Sequence, residues 1–174
     1  SSETFRGKFS VINSNFNNSD KSINFSLEAI ETDNFKTTGY KTKKTGFAFG
    51  TNFEYLDDLF IGIGNSNFYE EIDTNDTASA RQKLQAGSYW DTFLKLDFEY
   101  DKRNQKFQTS SGFRSFYSAD LPLISETNTL KNFYKHSYYF DLFDRNISSI
   151  SLYFETANSL NNKDIKLSER IKIP

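Results

Sequence analysis

Apolar and polar residues alternate with a period of two along most of the chain. Over residues 90–100, Trp90, Thr92, Leu94, Leu96, Phe98 and Tyr100 share one face, while Asp91, Lys95, Asp97 and Glu99 share the other. Phe93 is the single interruption. Side chains on a β-strand point to opposite faces in turn, so this pattern predicts a strand with one apolar and one charged face. At ~3.3 Å per residue and a tilt of about 40°, ten steps climb about 25 Å. An aromatic side chain, Trp90 or Tyr100, stands at each end of that climb. This is the height of an outer-membrane barrel's apolar band between its two aromatic girdles.

Other segments repeat the pattern. Thr45, Phe47, Phe49, Thr51, Phe53 and Tyr55 alternate with Gly46, Ala48, Gly50, Asn52 and Glu54. Phe9 and Val11 alternate with Lys8 and Ser10, and Ile23, Phe25, Leu27 and Ala29 with Asn24, Ser26 and Glu28. Phe113, Tyr117, Ala119 and Leu121 share a phase, as do Tyr134, Tyr138, Phe140 and Leu142, and Ile150, Leu152 and Phe154. Residues 59–68 read as a strand of mixed phase with Gly62 and Gly64 inside it. The connectors between these segments are short and rich in Asn, Asp and Ser, whose side chains hydrogen-bond locally and tolerate left-handed backbone. Strands joined so tightly must be antiparallel neighbours. The expectation is an all-β fold: an antiparallel up-and-down meander of eight or nine strands, with no amphipathic helix and no second domain within residues 1–174.

A meander of this kind suits two architectures. In a soluble sandwich or small barrel the apolar rows face inward; in a transmembrane barrel they face lipid and the polar rows line the lumen. Alternation alone does not separate the two. Strands near eleven residues exceed the usual 5–6, and aromatics mark the strand ends. Hydrophobic residues make up only 36% of the chain while aromatics reach 17%, which suits a thin apolar layer rather than a thick core. These features favour the membrane.

Composition then removes several chemistries. Zero Cys excludes disulfides, thiolate metal sites and cysteine nucleophiles. A single His leaves no metal cluster and no catalytic relay. A net charge of −2 argues against a duplex nucleic-acid partner. The absence of Met is what a mature segment, or a piece of something longer, would show.

The connectors carry a resemblance. Tyr100-Asp101-Lys102-Arg103-Asn104, followed by Phe107, Thr109, Ser110, Ser111 and Gly112, resembles the Y-D-x-R-N…F-x-P-T-x-G stretch of the BamA family of outer-membrane assembly barrels. Thr109 replaces that pattern's proline and Ser110 its threonine. Asp33-Asn34-Phe35-Lys36-Thr37-Thr38-Gly39-Tyr40 is similar to the family's D-N-[FW]-x-G-x-G-Y turn, with Thr37 in place of the first glycine. The ending, Leu167-Ser168-Glu169-Arg170-Ile171-Lys172-Ile173-Pro174, resembles the segment that leads into the family's L-R-G-F loop.

The resemblance implies about 8–9 strands of a sixteen-strand barrel: the N-terminal portion of the barrel domain, without the periplasmic POTRA domains or the C-terminal half. It implies a bacterial outer-membrane location and a function in folding and inserting β-barrel proteins, without enzyme chemistry, cofactor or metal. The implied partners are outer-membrane lipid and lipopolysaccharide, unfolded outer-membrane clients and accessory assembly lipoproteins. Gly7, Lys8, Phe9, Ser10, Val11, Ile12, Asn13, Ser14, Asn15 and Phe16 would form the first strand, one side of a lateral gate that lends its edge to a client strand. The neighbouring readings are a translocation barrel of the TamA or two-partner secretion type, a passive porin and a soluble β-sandwich binding module. His136 reads as a strand residue near an interface, Asp101 and Arg103 as a pair shaping a turn. Lys41, Lys43 and Lys44 read as a basic strand end or a headgroup contact, and residues 73–76 as a solvated loop without calcium-loop spacing.

Overall fold

Each alternating segment forms a strand that pairs with the next one in the chain. The computed structural model describes residues 3–143, 146–166 and 169–171. The strands are β1 (Glu3–Asn13), β2 (Ser22–Asn34), β3 (Tyr40–Leu56), β4 (Leu59–Thr74), β5 (Gly87–Asp101), β6 (Gly112–Ile124), β7 (Thr129–Phe143) and β8 (Asn146–Ser159). All seven pairings are antiparallel, and the eight strands form one sheet in sequence order. β1 and β8 therefore end the sheet as two edges, each paired on one side only among the described residues.

Several boundaries differ from the sequence reading. β4 runs to Thr74, beyond the expected residues 59–68. The β4–β5 connector holds one helical turn, α1 (Ala80–Lys83), where no helix was expected. Its cause is local: the Ser79 hydroxyl accepts from the Gln82 amide, and the Gln82 side chain accepts from the Ser79 amide. Asp144 and Arg145 of the expected β7–β8 turn lie outside the described residues.

The sheet curls so that the polar rows line its concave face. A groove of about 390 Å³ on that face is lined by Lys8 and Ser10 of β1, Glu28 of β2, Lys95 and Asp97 of β5, and Asp120 of β6. The apolar rows cover the convex face: Phe9 is 60% exposed, Phe49 52%, Trp90 51% and Leu152 63%. Among the described residues the buried apolar side chains are only Ile72, Ala78, Phe93 and Ala119. A soluble sandwich would bury its aromatic rows and hydrate its charges; this sheet does the reverse. Transfer into lipid supplies the apolar burial that the fold itself does not provide.

Phe93, the one break in the β5 alternation, is explained by the same geometry. It faces the lumen at 4% exposure, with the Lys131 ammonium 5.4 Å from its ring centre. A lumen wall can hold an occasional apolar side chain where another residue covers it.

The apolar band has defined limits. Tyr69 of β4 stands opposite Trp90 of β5, and ten residues away Leu59 stands opposite Tyr100. Beyond the Tyr69–Trp90 level the outward positions become charged and alternate in sign across three strands. Glu31 pairs with Lys43, which pairs with Glu71; Asp33 pairs with Lys41, which pairs with Asp73. The Lys41 ammonium bridges Glu31 and lies 3.8 Å from Asp33. The basic run of the sequence is thus divided by the pleat: Lys44 turns to the lumen side and sits 4.4 Å over the Phe68 ring.

Leu96→Arg, on the outward row of β5, is expected to destabilise the parent barrel by about 2–4 kcal/mol in lipid vesicles. Lys95→Gln, one residue away but facing the lumen, should cost under about 1 kcal/mol. Urea unfolding followed by tryptophan fluorescence measures both, and equal costs would contradict the inside-out assignment.

Candidate functional site

The expected motif residues gather into two turns at opposite rims of the sheet. In the turn after β5, the Arg103 guanidinium donates to both Asp101 carboxylate oxygens, at 2.7 and 2.6 Å. That pair is largely buried, with side-chain exposures of 13% and 5%, and it folds the chain back immediately after Tyr100. The Asn104 side chain completes the turn, donating to the Ser110 hydroxyl at 2.8 Å and accepting from the Ser110 and Ser111 amides at 3.2 Å each. The Lys102 amide donates to the Phe113 carbonyl at 2.8 Å, and the Lys102 ammonium reaches Asp58 of the adjoining hairpin at 2.6 Å.

Gly112 sits where the turn closes, at φ +99°, and a Cβ there would lie 2.1 Å from the Lys102 carbonyl oxygen. Both the backbone conformation and the space therefore require glycine.

At the other rim, the Asn34 carbonyl accepts from the Thr37, Thr38 and Gly39 amides at 3.2, 2.9 and 3.0 Å. The Asp33 carboxylate accepts from the Phe35 amide at 3.0 Å. Gly39 has φ +76°, and a Cβ there would meet the Ala78 amide at 2.4 Å. Tyr40 then opens β3 opposite Asn34. The Gly39 carbonyl accepts from the Asn75 amide, and the Asn75 side chain donates to the Phe35 carbonyl at 3.2 Å. The motif turn and the β4–β5 connector thus form one unit.

The strand expected as a gate is β1, and its limits need correction. Gly7, Lys8, Phe9, Ser10, Val11, Ile12 and Asn13 are in the strand, which begins earlier, at Glu3. Ser14, Asn15 and Phe16 are not. The Asn13 side chain accepts from the Asn15 amide, Phe16 opens a 3-10 turn, and Asn17 and Asn18 take φ values of 55° and 54°. The chain has already left the ladder in the turn at Ser14 and Asn15, and the left-handed Asn17 and Asn18 beyond Phe16 complete the reversal. Within β1, Phe9 and Val11 face outward, and Lys8 and Ser10 line the groove. Trp90 and Tyr100 both lie on the outward face of β5, and Tyr100 packs edge-on against Phe113 at 5.7 Å.

His136 also belongs to an outward row. Its Nδ1 lies 2.8 Å from the Ser115 hydroxyl and its ring 5.6 Å from that of Phe113. Among the described residues no three His, Asp or Glu side chains are arranged to hold a metal.

Sequence reasoning did not anticipate the segment after β8, which folds back into the mouth of the sheet. The Lys166 ammonium donates to both oxygens of Asp91, at 2.8 and 2.6 Å, with both side chains essentially inaccessible. It also lies 4.3 Å from the centre of the Tyr89 ring. The Gln85 amide group donates to the Ile165 carbonyl, Arg81 of α1 holds Asp164 through two bonds of 2.6 and 2.5 Å, and Thr127 donates to Glu169 at 3.1 Å. The ending motif thus lies partly in this seat, while Leu167, Ser168, Lys172, Ile173 and Pro174 fall outside the described residues. Asp91 was legible as a lumen-facing charge; that its partner stands 75 residues away was not.

The Arg81 hydrogen bonds hold the Asp164 carboxyl below the usual carboxylate range. The bridge is therefore complete above that range and is lost only as the pH falls through the depressed value. Gly112→Ala should destabilise the barrel by more than about 1 kcal/mol, and Gly39→Ala likewise. Gly7→Ala, which meets nothing within 4 Å, should change little; thermal unfolding of the three variants makes the comparison.

The comparisons with known proteins agree with this architecture. The sequence pattern of the Omp85 superfamily domain matches residues 1–173. The fold is similar to the crystal structure of BamA from Haemophilus ducreyi lacking POTRA domains 1–3, with a TM-score of 0.77 and 14% identity. That likeness covers 95% of this chain and 35% of the other, so the chain spans about a third of that relative's length. No curated protein matches the sequence. The inside-out eight-stranded meander is a β-barrel segment of the bacterial outer membrane, and the chain belongs to the Omp85 superfamily.

Proposed function

We propose that this chain is a wall portion of a larger barrel that folds and inserts β-barrel proteins into the outer membrane, as a BamA-type assembly factor. The observation that carries this reading is an apolar-outside, polar-inside antiparallel wall in a chain of the Omp85 superfamily. An unpaired edge in hydrocarbon leaves N–H and C=O groups without partners, at several kcal/mol each. Such an edge is satisfied by the next strand of its own barrel or, when that seam parts, by an incoming client strand. The work needs no bond chemistry, nucleotide or cofactor: a templating edge lowers the cost of bringing a polar backbone into lipid.

Residues 7–13 of β1 are proposed as the templating side, as the resemblance implies. β1 and β8 bound this stretch of the wall, and crosslinking along each strand tells which of them meets a client. The chain's partners in this reading are unfolded outer-membrane clients, the lipid and lipopolysaccharide around the apolar band, and accessory lipoproteins. A translocation barrel of the TamA or two-partner secretion type has its own support, the charged groove on the concave face, which would suit a polypeptide passing through the lumen.

Photo-crosslinkers placed singly along β1, along β8, and at the lumen-facing positions 95 and 97 of the parent protein separate these readings. With a client stalled during assembly, adducts recurring at every second residue of β1 are expected. Adducts confined to β8 would move the templating edge there. Adducts at positions 95 and 97 alone would replace insertion by translocation.

A further inference from the structure

We propose that a small pocket in the lumen wall, between Arg114 of β6 and Lys135 of β7, binds a single oxyanionic group: a free phosphate, or a carboxylate carried by polypeptide in the lumen. The inference goes beyond the function proposed above. It needs from that reading only that this face lines a lumen, and it holds for insertion and for translocation alike.

The pocket has a volume of about 70 Å³ and is lined by Arg114, Phe116, Lys135, Ser137 and Tyr139. A water molecule's share of the liquid is about 30 Å³, so the space suits a group of a few heavy atoms. Strand register assembles it. Arg114 stands opposite Asp101 in the lumen row of β5 and opposite Ser137 of β7. Phe116, Lys135 and Tyr139, each two residues along, therefore share that face. No carboxylate lines the pocket, whereas two cations and two hydroxyls do. The larger groove is different: carboxylates and cations are mixed there, and Lys95 lies 3.8 Å from Asp97.

The donors are held in place before any ligand arrives. Glu99 accepts from the Arg114 guanidinium through two bonds, of 2.8 and 2.9 Å. That fixes the guanidinium plane and leaves its other N–H groups for a second acceptor. Ser137 is only 3% exposed, and its hydroxyl lies 2.8 Å from that of Ser151 on β8. Among the described residues, the Lys135 ammonium meets an aromatic ring rather than a carboxylate, 5.0 Å from the centre of Tyr153. A ring contact of this kind leaves the N–H donors able to bond an oxyanion. Charge-assisted hydrogen bonds of this type are the strong ones, and an anion that meets fixed donors loses little to ordering them. Because Glu99 offsets Arg114, the net positive charge of the pocket is that of Lys135, which makes Lys135 the residue to test.

The test uses the full parent protein in detergent micelles, with folding checked by the mobility shift between unheated and boiled samples on detergent gels. Isothermal titration with inorganic phosphate in dilute chloride buffer is expected to show saturable binding. Lys135→Gln should weaken that binding by roughly tenfold or more, and Lys135→Arg should restore most of it. Lys95→Gln, which faces the lumen outside the pocket, should leave it unchanged. Should Lys135→Gln fail to fold, Tyr139→Phe decides, with a loss of roughly threefold expected. Acetate then separates the two sources, and either result affirms the site. Displacement of phosphate by acetate at comparable concentration assigns the pocket to polypeptide carboxylates; phosphate that stays bound assigns it to phosphate. A folded protein without saturable binding, or equal losses in Lys135→Gln and Lys95→Gln, would overturn the proposal. An unmodified protein with no heat-dependent mobility shift would overturn the barrel reading instead, and this proposal with it.

Discussion

In hydrocarbon, no water is present to satisfy a backbone N–H or C=O group, and the rest of this structure follows from that constraint. It explains strands of 11 to 17 residues in an antiparallel ladder whose register shifts, at Glu54/Leu56, Thr92/Phe93 and Asp141/Phe143, fall toward the strand ends, since interruptions deep in the apolar band would orphan polar groups. It explains why the irregular backbone gathers at the two rims, where Asn17, Asn18, Asp58, Gln108, Asn128 and Asn162 take positive φ. In the proposed function it also singles out strand edges as the one location where a backbone group in lipid can acquire a new partner.

Much of the architecture was legible because period-two patterning is local. β5 could be read residue by residue, and its charged row does face the lumen. The direction of the sheet was harder, since alternation is identical in a soluble sandwich and in a membrane barrel. Exposure settles it: Phe9, Phe49 and Leu152 lie bare on the convex face while Glu70 and Asp91 are inaccessible. Phe16 was misplaced because an aromatic following an alternating run looks like its continuation, whereas the turn had already begun at Ser14 and Asn15.

The candidate site was legible where its contacts are short in sequence. Asp101 and Arg103 are two residues apart, and Asn104 reaches only to Ser110 and Ser111. The same is not true of the seat around Asp91. Its partners come from α1, β5, the start of β7 and the segment after β8, and none of these adjacencies leaves a periodic trace. Even the small helix at Ala80–Lys83 gains its meaning only in three dimensions, through the Asp164 carboxylate that Arg81 holds.

The charge stripes of Glu31 and Asp33, Lys43 and Lys41, and Glu71 and Asp73 on three successive strands have a mechanical consequence. A smooth apolar cylinder could bob along the bilayer normal, because lipid resists such travel only weakly. Here a sinking motion of one two-residue step, about 5 Å along the normal, would drag a row of charges past the aromatic girdle into hydrocarbon. The opposite excursion would lift Tyr69 and Trp90 out of the headgroups that suit them. The wall therefore carries its own waterline. Any local deformation at a strand edge must be taken up by the surrounding lipid rather than by a vertical shift of the protein.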